Sequence, residues 1–196
     1  MNPITTNEDI RLFHQIDLFN LPEQHFFLYP SMDGASVRAF QTILARMVKF
    51  RKGLSILEWG TGGSTRFFSR YLTHLAFERP NWSWQWTAYD SNLERARWIQ
   101  EHGGLADNVV FRGHSGECFS TAVKGLDRTS FDMILVLGEH PVPCMEEAAA
   151  WLQPGHPHLG FVLLHDPKGD CNMSARGWTG ELLLGSSLWR GRPKQE

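Results

Sequence analysis

The sequence predicts an α/β fold in three layers, with a mostly parallel central sheet between two layers of helices. Three observations predict this class. Residues 54–59 form an apolar run that ends in a glycine-rich turn and leads into a helical pattern. The same order of strand and helix then repeats along the chain. Residues 131–137 are almost entirely apolar, which is typical of a strand that is buried on both faces.

The individual elements follow from apolar spacing and from residues that begin or end helices. A first helix begins near residue 33, because apolar residues recur on one helical face, Ser31 or Asp33 can cap it, and Gly53 can end it. The other predicted helices are residues 64–75, 93–102 and 146–153. The predicted strands are residues 54–59, 84–89, 108–112, 131–137 and 159–164, with a final pair, 181–184 and 187–190, at the sheet edge.

Length and charge limit the domain organisation and the partners. The 196 residues fit one globular unit, in which residues 1–50 form a helical and irregular cap and residues 51–196 form the main domain. The net charge is −2 and no long Lys/Arg run occurs, so we expect no nucleic-acid partner. No apolar stretch approaches the roughly 20 residues of a membrane span. Three dispersed cysteines favour a reducing compartment, and we expect a cytoplasmic location.

The glycine-rich turn is the strongest functional signal. A strand that ends in such a turn and leads into a helix presents backbone N–H groups to which a ligand can come close. Gly60 and Gly62 match the first two glycines of a dinucleotide-binding fingerprint, but the third falls on Thr65. This mismatch disfavours an NAD site.

Residues 56–65 read Ile-Leu-Glu-Trp-Gly-Thr-Gly-Gly-Ser-Thr and resemble motif I of class I S-adenosylmethionine-dependent methyltransferases. The resemblance extends over about residues 54–166 and implies a Rossmann-like methyltransferase fold with S-adenosyl-L-methionine as cofactor. It implies that the loop glycines contact the methionine part and that Glu58 lies near the ammonium group. Ser64 can instead cap the following helix. The cofactor-binding residues expected in this loop are Glu58, Gly60, Thr61, Gly62, Gly63 and Ser64.

Two further segments are candidates for cofactor contacts. Asp90 ends the second predicted strand, where a carboxylate can accept hydrogen bonds from both ribose hydroxyls. It follows Gly60 by 30 residues rather than the roughly 20 of a dinucleotide unit, and an acid at a strand end can also be only a turn former. Ser115 and Gly116 lie in a segment that is similar to the family's adenine-contacting one.

The catalytic candidates follow the fourth and fifth strands. Residues 131–140 resemble a family strand that ends in Asp-Gly-x-His, but Leu137 replaces the acid, so we expect no metal-assisted mechanism and no metal. Methyl transfer to a hydroxyl or ammonium group needs a base. His140 is the first candidate and His165 the second, because imidazole titrates near neutral pH, and Asp166 can orient either. A histidine at a strand end can also be purely structural.

Three functions remain open. The first is O- or N-methylation of a small-molecule acceptor with S-adenosyl-L-methionine. The second is a noncatalytic cofactor-binding or interaction module of the same fold, which Leu137 favours. The third, an NAD-linked oxidoreductase, is disfavoured by the missing third glycine. Fold alone does not separate the first two.

Overall fold

The structure is a computed structural model, which describes residues 30–102, 104–113, 123–124, 126, 130–138, 140–152, 160–165, 176–183 and 185–194. The helices are α1 (Gly34–Phe50), α2 (Gly63–Phe77), α3 (Leu93–His102) and α4 (Pro141–Trp151). The strands are β1 (Gly53–Trp59), β2 (Ser83–Asp90), β3 (Val109–Gly113), β4 (Met133–Val136), β5 (Phe161–His165), β6 (Trp178–Leu182) and β7 (Leu188–Pro193).

The seven strands form one sheet in the order β3-β2-β1-β4-β5-β7-β6. Strands β1 to β5 are parallel to one another, whereas β7 pairs antiparallel with both β5 and β6. The strand order reverses between β1 and β4, which makes the carboxyl ends of these two strands the place where such sheets bind ligands. The α/β class with a mostly parallel sheet is therefore confirmed.

Two expectations about elements were wrong. The fourth helix begins at Pro141 and not near residue 146, because proline is favoured in the first turn, where its missing N–H needs no partner. The fourth strand is limited to four residues, since Phe131 makes only an isolated bridge with Leu152. The last two strands do pair, but β7 lies inside the sheet and only β6 is at the edge.

Helix α1 begins at the carboxyl edge of the sheet and is capped by Asp33, whose Oδ1 accepts a 2.8 Å hydrogen bond from the Ser36 N–H. At the opposite edge, Asp132 accepts hydrogen bonds from Arg51 and from the backbone and side chain of Ser55. These contacts link the start of β1 to the start of β4. They hold the centre of the sheet together at the edge away from the glycine turn.

The sheet separates two apolar cores. One lies under α1 and α2 and includes Phe40 and Phe68, whose ring centroids are 4.2 Å apart. The other lies under α4 and includes Trp59, Phe131 and Cys144. Cys144 is a buried free cysteine, and burial raises the pKa of its thiol to about 12. In the described part of the chain, none of the helices has the length and apolar character that a bilayer span requires.

Candidate functional site

The candidate site is the carboxyl edge of the central strands. Trp59 pairs with Val136, and Val136 pairs with Leu164, so the next residues, Gly60, Leu137 and His165, lie in one row across the sheet. Neighbouring strands are about 4.8 Å apart, which puts the Cα of His165 about 10 Å from that of Gly60. The glycine turn and a candidate base therefore lie at the same edge.

Gly60 is required by the protein's own packing. Its φ is +91°, and a Cβ built on it would lie 2.3 Å from the backbone N and Cα of Gly138. The Gly60 N–H donates to the Tyr89 carbonyl at 2.9 Å, and the Trp59 carbonyl accepts from the Gly138 N–H at 3.1 Å. Any side chain at Gly60 would thus push β1 and β4 apart at their ends.

Gly62 differs from Gly60, because no described residue requires a glycine there. Its φ of 175° is extended backbone, and a Cβ at this position meets no atom of the described residues within 4 Å. Gly62 caps α2, and its N–H donates to Thr65 Oγ1 at 3.1 Å. Ser64 is buried in the first turn of the helix and is not its cap, so that alternative was wrong. The turn leaves open space at a helix N-terminus.

Glu58 lies beneath this turn and is fully buried. Its Oε2 accepts hydrogen bonds of 2.8 Å from Thr65 Oγ1 and from the Trp86 indole N–H, whereas Oε1 has no partner within the described residues. Burial raises the pKa of Glu58 to about 8. The two hydrogen bonds lower this pKa, but they do not offset burial, and the nearby negative charge of Asp90 raises it further. Glu58 therefore contacts the turn through Thr65.

Asp90 is also fully buried, and donors from its own chain surround it. Its carboxylate accepts hydrogen bonds from the backbone and side chain of Thr61 and from the Asn92 N–H. Arg95 adds two more, at 3.0 Å from Nε and 2.8 Å from Nη2. Asp90 thus fixes Thr61 in the turn, and a ribose hydroxyl can reach its oxygens only where Arg95 moves away.

His165 ends β5 and joins a polar cluster at the start of α1. Its Nε2 lies 3.2 Å from Ser187 Oγ, and the Ser187 hydroxyl donates to Asp33 Oδ2. Ser36 also donates its hydroxyl to Asp33. Partial burial acts to raise the pKa of Asp33, but the hydrogen bonds from Ser187 and Ser36 outweigh it and hold the pKa well below its usual range. The cluster links β5, β7 and α1.

Of the remaining candidates, the structure describes His140 alone. His140 is exposed and precedes α4 with a left-handed φ of 58°, and its side chain makes no cap hydrogen bond to that helix. Ser115, Gly116 and Asp166 lie outside the described residues. Among the residues that the structure describes, no group of three His, Cys, Asp or Glu side chains could hold a metal ion.

No protein-family model matches the sequence, and no curated protein matches it. Solved structures do match the fold. The putative methyltransferase yhhF from Escherichia coli superposes with a TM-score of 0.51 at 11% identity, over 86% of this chain and 91% of that chain. The fold is that of solved methyltransferases. The citrinin polyketide synthase CMeT domain gives 0.50 at 19% identity, over 66% of this chain, which spans only 34% of that one.

Within this methyltransferase fold, sequence reasoning missed the residues that hold the turn in place. Thr65 and Trp86 hydrogen-bond Glu58, and Arg95 pairs with Asp90. Thr65 carried a signal, because a hydroxyl three residues after a helix cap can bond back to the cap's N–H. Trp86 and Arg95 carried none, since their contacts depend on packing between elements. Ser187 was equally invisible, because it meets His165 only through the antiparallel insertion of β7.

Proposed function

We propose that this protein is an S-adenosyl-L-methionine-dependent methyltransferase that acts on the oxygen or nitrogen of a small-molecule acceptor. The observation that carries the proposal is the open space at Gly62, at the N-terminus of α2 and next to the turn that Asp90 fixes. A glycine that the protein's own packing does not need is explained by a ligand that comes close to its backbone.

The residues present fit the cofactor. Backbone N–H groups at a helix N-terminus favour a carboxylate, which assigns the methionine end to the turn of Gly60, Thr61, Gly62, Gly63 and Ser64. Asp90 is assigned to the ribose, and Glu58 holds the turn through Thr65. Contacts of Ser115 and Gly116 with the adenine remain a prediction from the resemblance. When bound, S-adenosyl-L-methionine supplies an electrophilic methyl group on a sulfonium.

The chain's own contribution to transfer is to align the acceptor and remove its proton. We favour His165 as the base, because Ser187 and Asp33 orient it. Since the Ser187 hydrogen points to Asp33, Ser187 Oγ accepts from the His165 Nε2–H. This assigns the basic lone pair of the neutral ring to Nδ1. Asp166 remains a predicted orienting group, and His140, the first candidate from the sequence, becomes the second candidate base in this proposal.

One observation favours the noncatalytic alternative. Five hydrogen bonds from Thr61, Asn92 and Arg95 already fill the oxygens of Asp90. A carboxylate with this set of partners serves the fold without any ligand. The cofactor proposal therefore requires that Arg95 turn outward to solvent and free the oxygens of Asp90. Its side chain is 27% exposed and has a path to do so.

Calorimetric titration with S-adenosylhomocysteine tests the proposal. We expect wild type to bind and Gly62→Ala to bind at least about tenfold more weakly, because the new methyl group occupies ligand space. The Gly62→Ala protein should melt only slightly earlier than wild type, because alanine is a poorer helix cap than glycine but its Cβ meets no described atom. Gly60→Ala is the contrasting variant, which should melt earlier because its Cβ meets Gly138. Unchanged binding by Gly62→Ala would show that S-adenosylhomocysteine does not bind at this turn.

Two further variants test the role of Asp90. Asp90→Asn should lose affinity, whereas Arg95→Ala should bind S-adenosylhomocysteine at least as tightly as wild type, because it vacates the carboxylate oxygens. Weaker binding by Arg95→Ala would instead make the arginine itself a ligand contact. No binding by folded wild type would contradict the proposal and put the noncatalytic module first.

A further inference from the structure

Positive charge is concentrated on one helical layer of the molecule. Helices α1 and α2 contain no Asp or Glu, although the whole chain has a net charge of −2. Both helices pack on the same face of the sheet. Their cationic residues are Arg38, Arg46 and Lys49 in α1 and Arg66 and Arg70 in α2.

A groove on the outside of this layer collects three of these cations. It has a volume of about 430 Å³, and Arg38, Arg46 and Lys49 line it together with Gln41 and Tyr71. All three cationic residues are exposed, and no acidic residue of the described chain lines the groove. From Arg38 to Lys49 the helix rises about 16 Å. This length matches the rise of roughly five stacked nucleotides.

Gln41 gives an independent sign of a ligand. The residue is 8% exposed, and its Nε2 has no hydrogen-bond partner within the described part of the chain. A buried amide donor without an acceptor is costly, so such groups usually have a partner in the functional state. Here the partner would be an acceptor that enters a groove lined by positive charge. Phosphate oxygens meet this description.

Exposed aromatic rings lie at the ends of the same two helices. Phe50 and Phe77 are 74% and 88% exposed, and they end α1 and α2 respectively. Since each helix leads into one of two neighbouring parallel strands, both rings lie at the amino edge of the sheet. The ammonium of Lys49 lies 5.3 Å from the centre of the Phe50 ring. Phe50 is thus an exposed ring beside a cation of the groove, and such rings are typical of surfaces on which bases stack.

We propose that the groove of Arg38, Gln41, Arg46, Lys49 and Tyr71 binds the phosphodiester backbone of a single-stranded nucleic acid, whose bases stack near Phe50 and Phe77. A bilayer fits less well, because its headgroups would meet protruding side chains whereas the Gln41 amide lies inside a groove. The surface is separate from the proposed cofactor site. This surface cannot be recognised in the sequence, because its cationic residues lie three to eight residues apart along a helix and form no continuous run.

The test is fluorescence anisotropy with labelled oligouridylate of about twelve nucleotides, at about 50 and 200 mM salt. Wild type should bind, and Arg46→Gln/Lys49→Gln should bind at least about tenfold more weakly. The negative slope of log K against log salt should become shallower by about 1.4, since each of the two lost phosphate contacts contributes about −0.7. The matched control, Arg97→Gln/Lys124→Gln, removes two exposed cations elsewhere and should change affinity less than about twofold.

A second variant separates the hydrogen bond from the charge. Gln41→Leu should weaken oligonucleotide binding without changing the salt slope, and it should not lower stability, because it removes an unpaired buried donor. Retained binding of S-adenosylhomocysteine by the groove variants would show that the fold and the cofactor site are intact. The proposal is overturned where wild type does not bind at low salt, or where the control loses as much affinity as the groove variant. Binding to phosphatidylserine vesicles that oligouridylate does not compete away would also overturn it.

Discussion

The carboxyl group of Glu58 shows how a single buried residue responds to the rest of the fold. Packing under α2 removes it from water, and its two hydrogen-bond donors do not compensate for this loss. Near neutral pH, Glu58 is therefore mainly protonated in the folded protein. In the unfolded chain it ionises near its ordinary pKa of 4.5.

This difference predicts how stability changes with pH. Because the folded pKa is raised, the unfolded state loses the proton first, and the free energy of unfolding should fall as pH rises from about 4.5 to about 8. The slope contributed by this group is at most about 1.4 kcal/mol per pH unit. Glu58→Gln keeps an acceptor for Thr65 and Trp86 but cannot ionise, so its stability should lack this contribution.

Urea unfolding at about pH 5 and about pH 8 measures both proteins in the relevant window. Wild type should lose more stability than Glu58→Gln between the two values. The Gln variant is the matched control, because its side chain has nearly the same shape and all other titrating groups remain. Parallel losses in the two proteins would contradict the raised pKa.

At this same scale, the sequence predicted candidate positions but not their surroundings. The glycine turn and Asp90 could be found because their spacing is local and the residue types have a physical reason. The different roles of Gly60 and Gly62 could not be found from the sequence, because they depend on which atoms lie next to each Cα in the folded protein. Gly60 faces Gly138, which lies just beyond the end of β4, whereas Gly62 faces no atom of the described residues.

At the scale of elements, Asp33 both caps α1 and ties it to the loop before β7. Its Oδ1 accepts from the Ser36 N–H, and its Oδ2 accepts from the hydroxyls of Ser36 and Ser187. One carboxylate thus joins the start of a helix to a strand more than 150 residues later in the chain. The two functions can be separated by substitution.

Asp33→Asn should keep the cap, because the amide oxygen still accepts from Ser36, but it should weaken the tie to Ser187. Asp33→Ala should lose both, and the two variants should differ by about 1 kcal/mol in unfolding free energy, the usual value of a helix cap. Urea denaturation near neutral pH gives this difference. The advantage of wild type over Asp33→Asn should shrink as the pH falls through the lowered pKa of Asp33. Equal stabilities of the two variants would show that the cap contributes nothing.

Elements were predictable where apolar spacing is regular, as in α1, β1, α2 and β2. The start of α4 was placed several residues too late, although the first turn of a helix accepts proline readily, as at Pro141. The position of β7 between β5 and β6 could not be derived, since strand order across an antiparallel hairpin leaves no local pattern. The placement of Ser187 beside His165 depended on that order.

At the scale of the whole molecule, a small net charge conceals a strong asymmetry. The layer of α1 and α2 carries cations only, so the balancing carboxylates lie elsewhere in the chain. Net charge determines solubility and long-range attraction. A binding partner contacts only one surface of the protein, and the fold determines which charged residues lie together on that surface. The sequence-based expectation of no nucleic-acid partner rested on the net charge and on the absence of long Lys/Arg runs. Neither property reveals cations that are spread over one helical layer.

Because Cys144 is buried between α4 and the sheet, the rate at which its thiol reacts reports how often this part of the protein opens. A thiol that is shielded from water and scarcely ionised cannot react with a disulfide reagent until α4 lifts away. In a Cys118→Ser/Cys171→Ser background, absorbance after addition of such a reagent should therefore rise at the rate of that opening. Rapid modification under native conditions would contradict the burial, whereas slow modification would give a direct reading of how often this half of the protein opens.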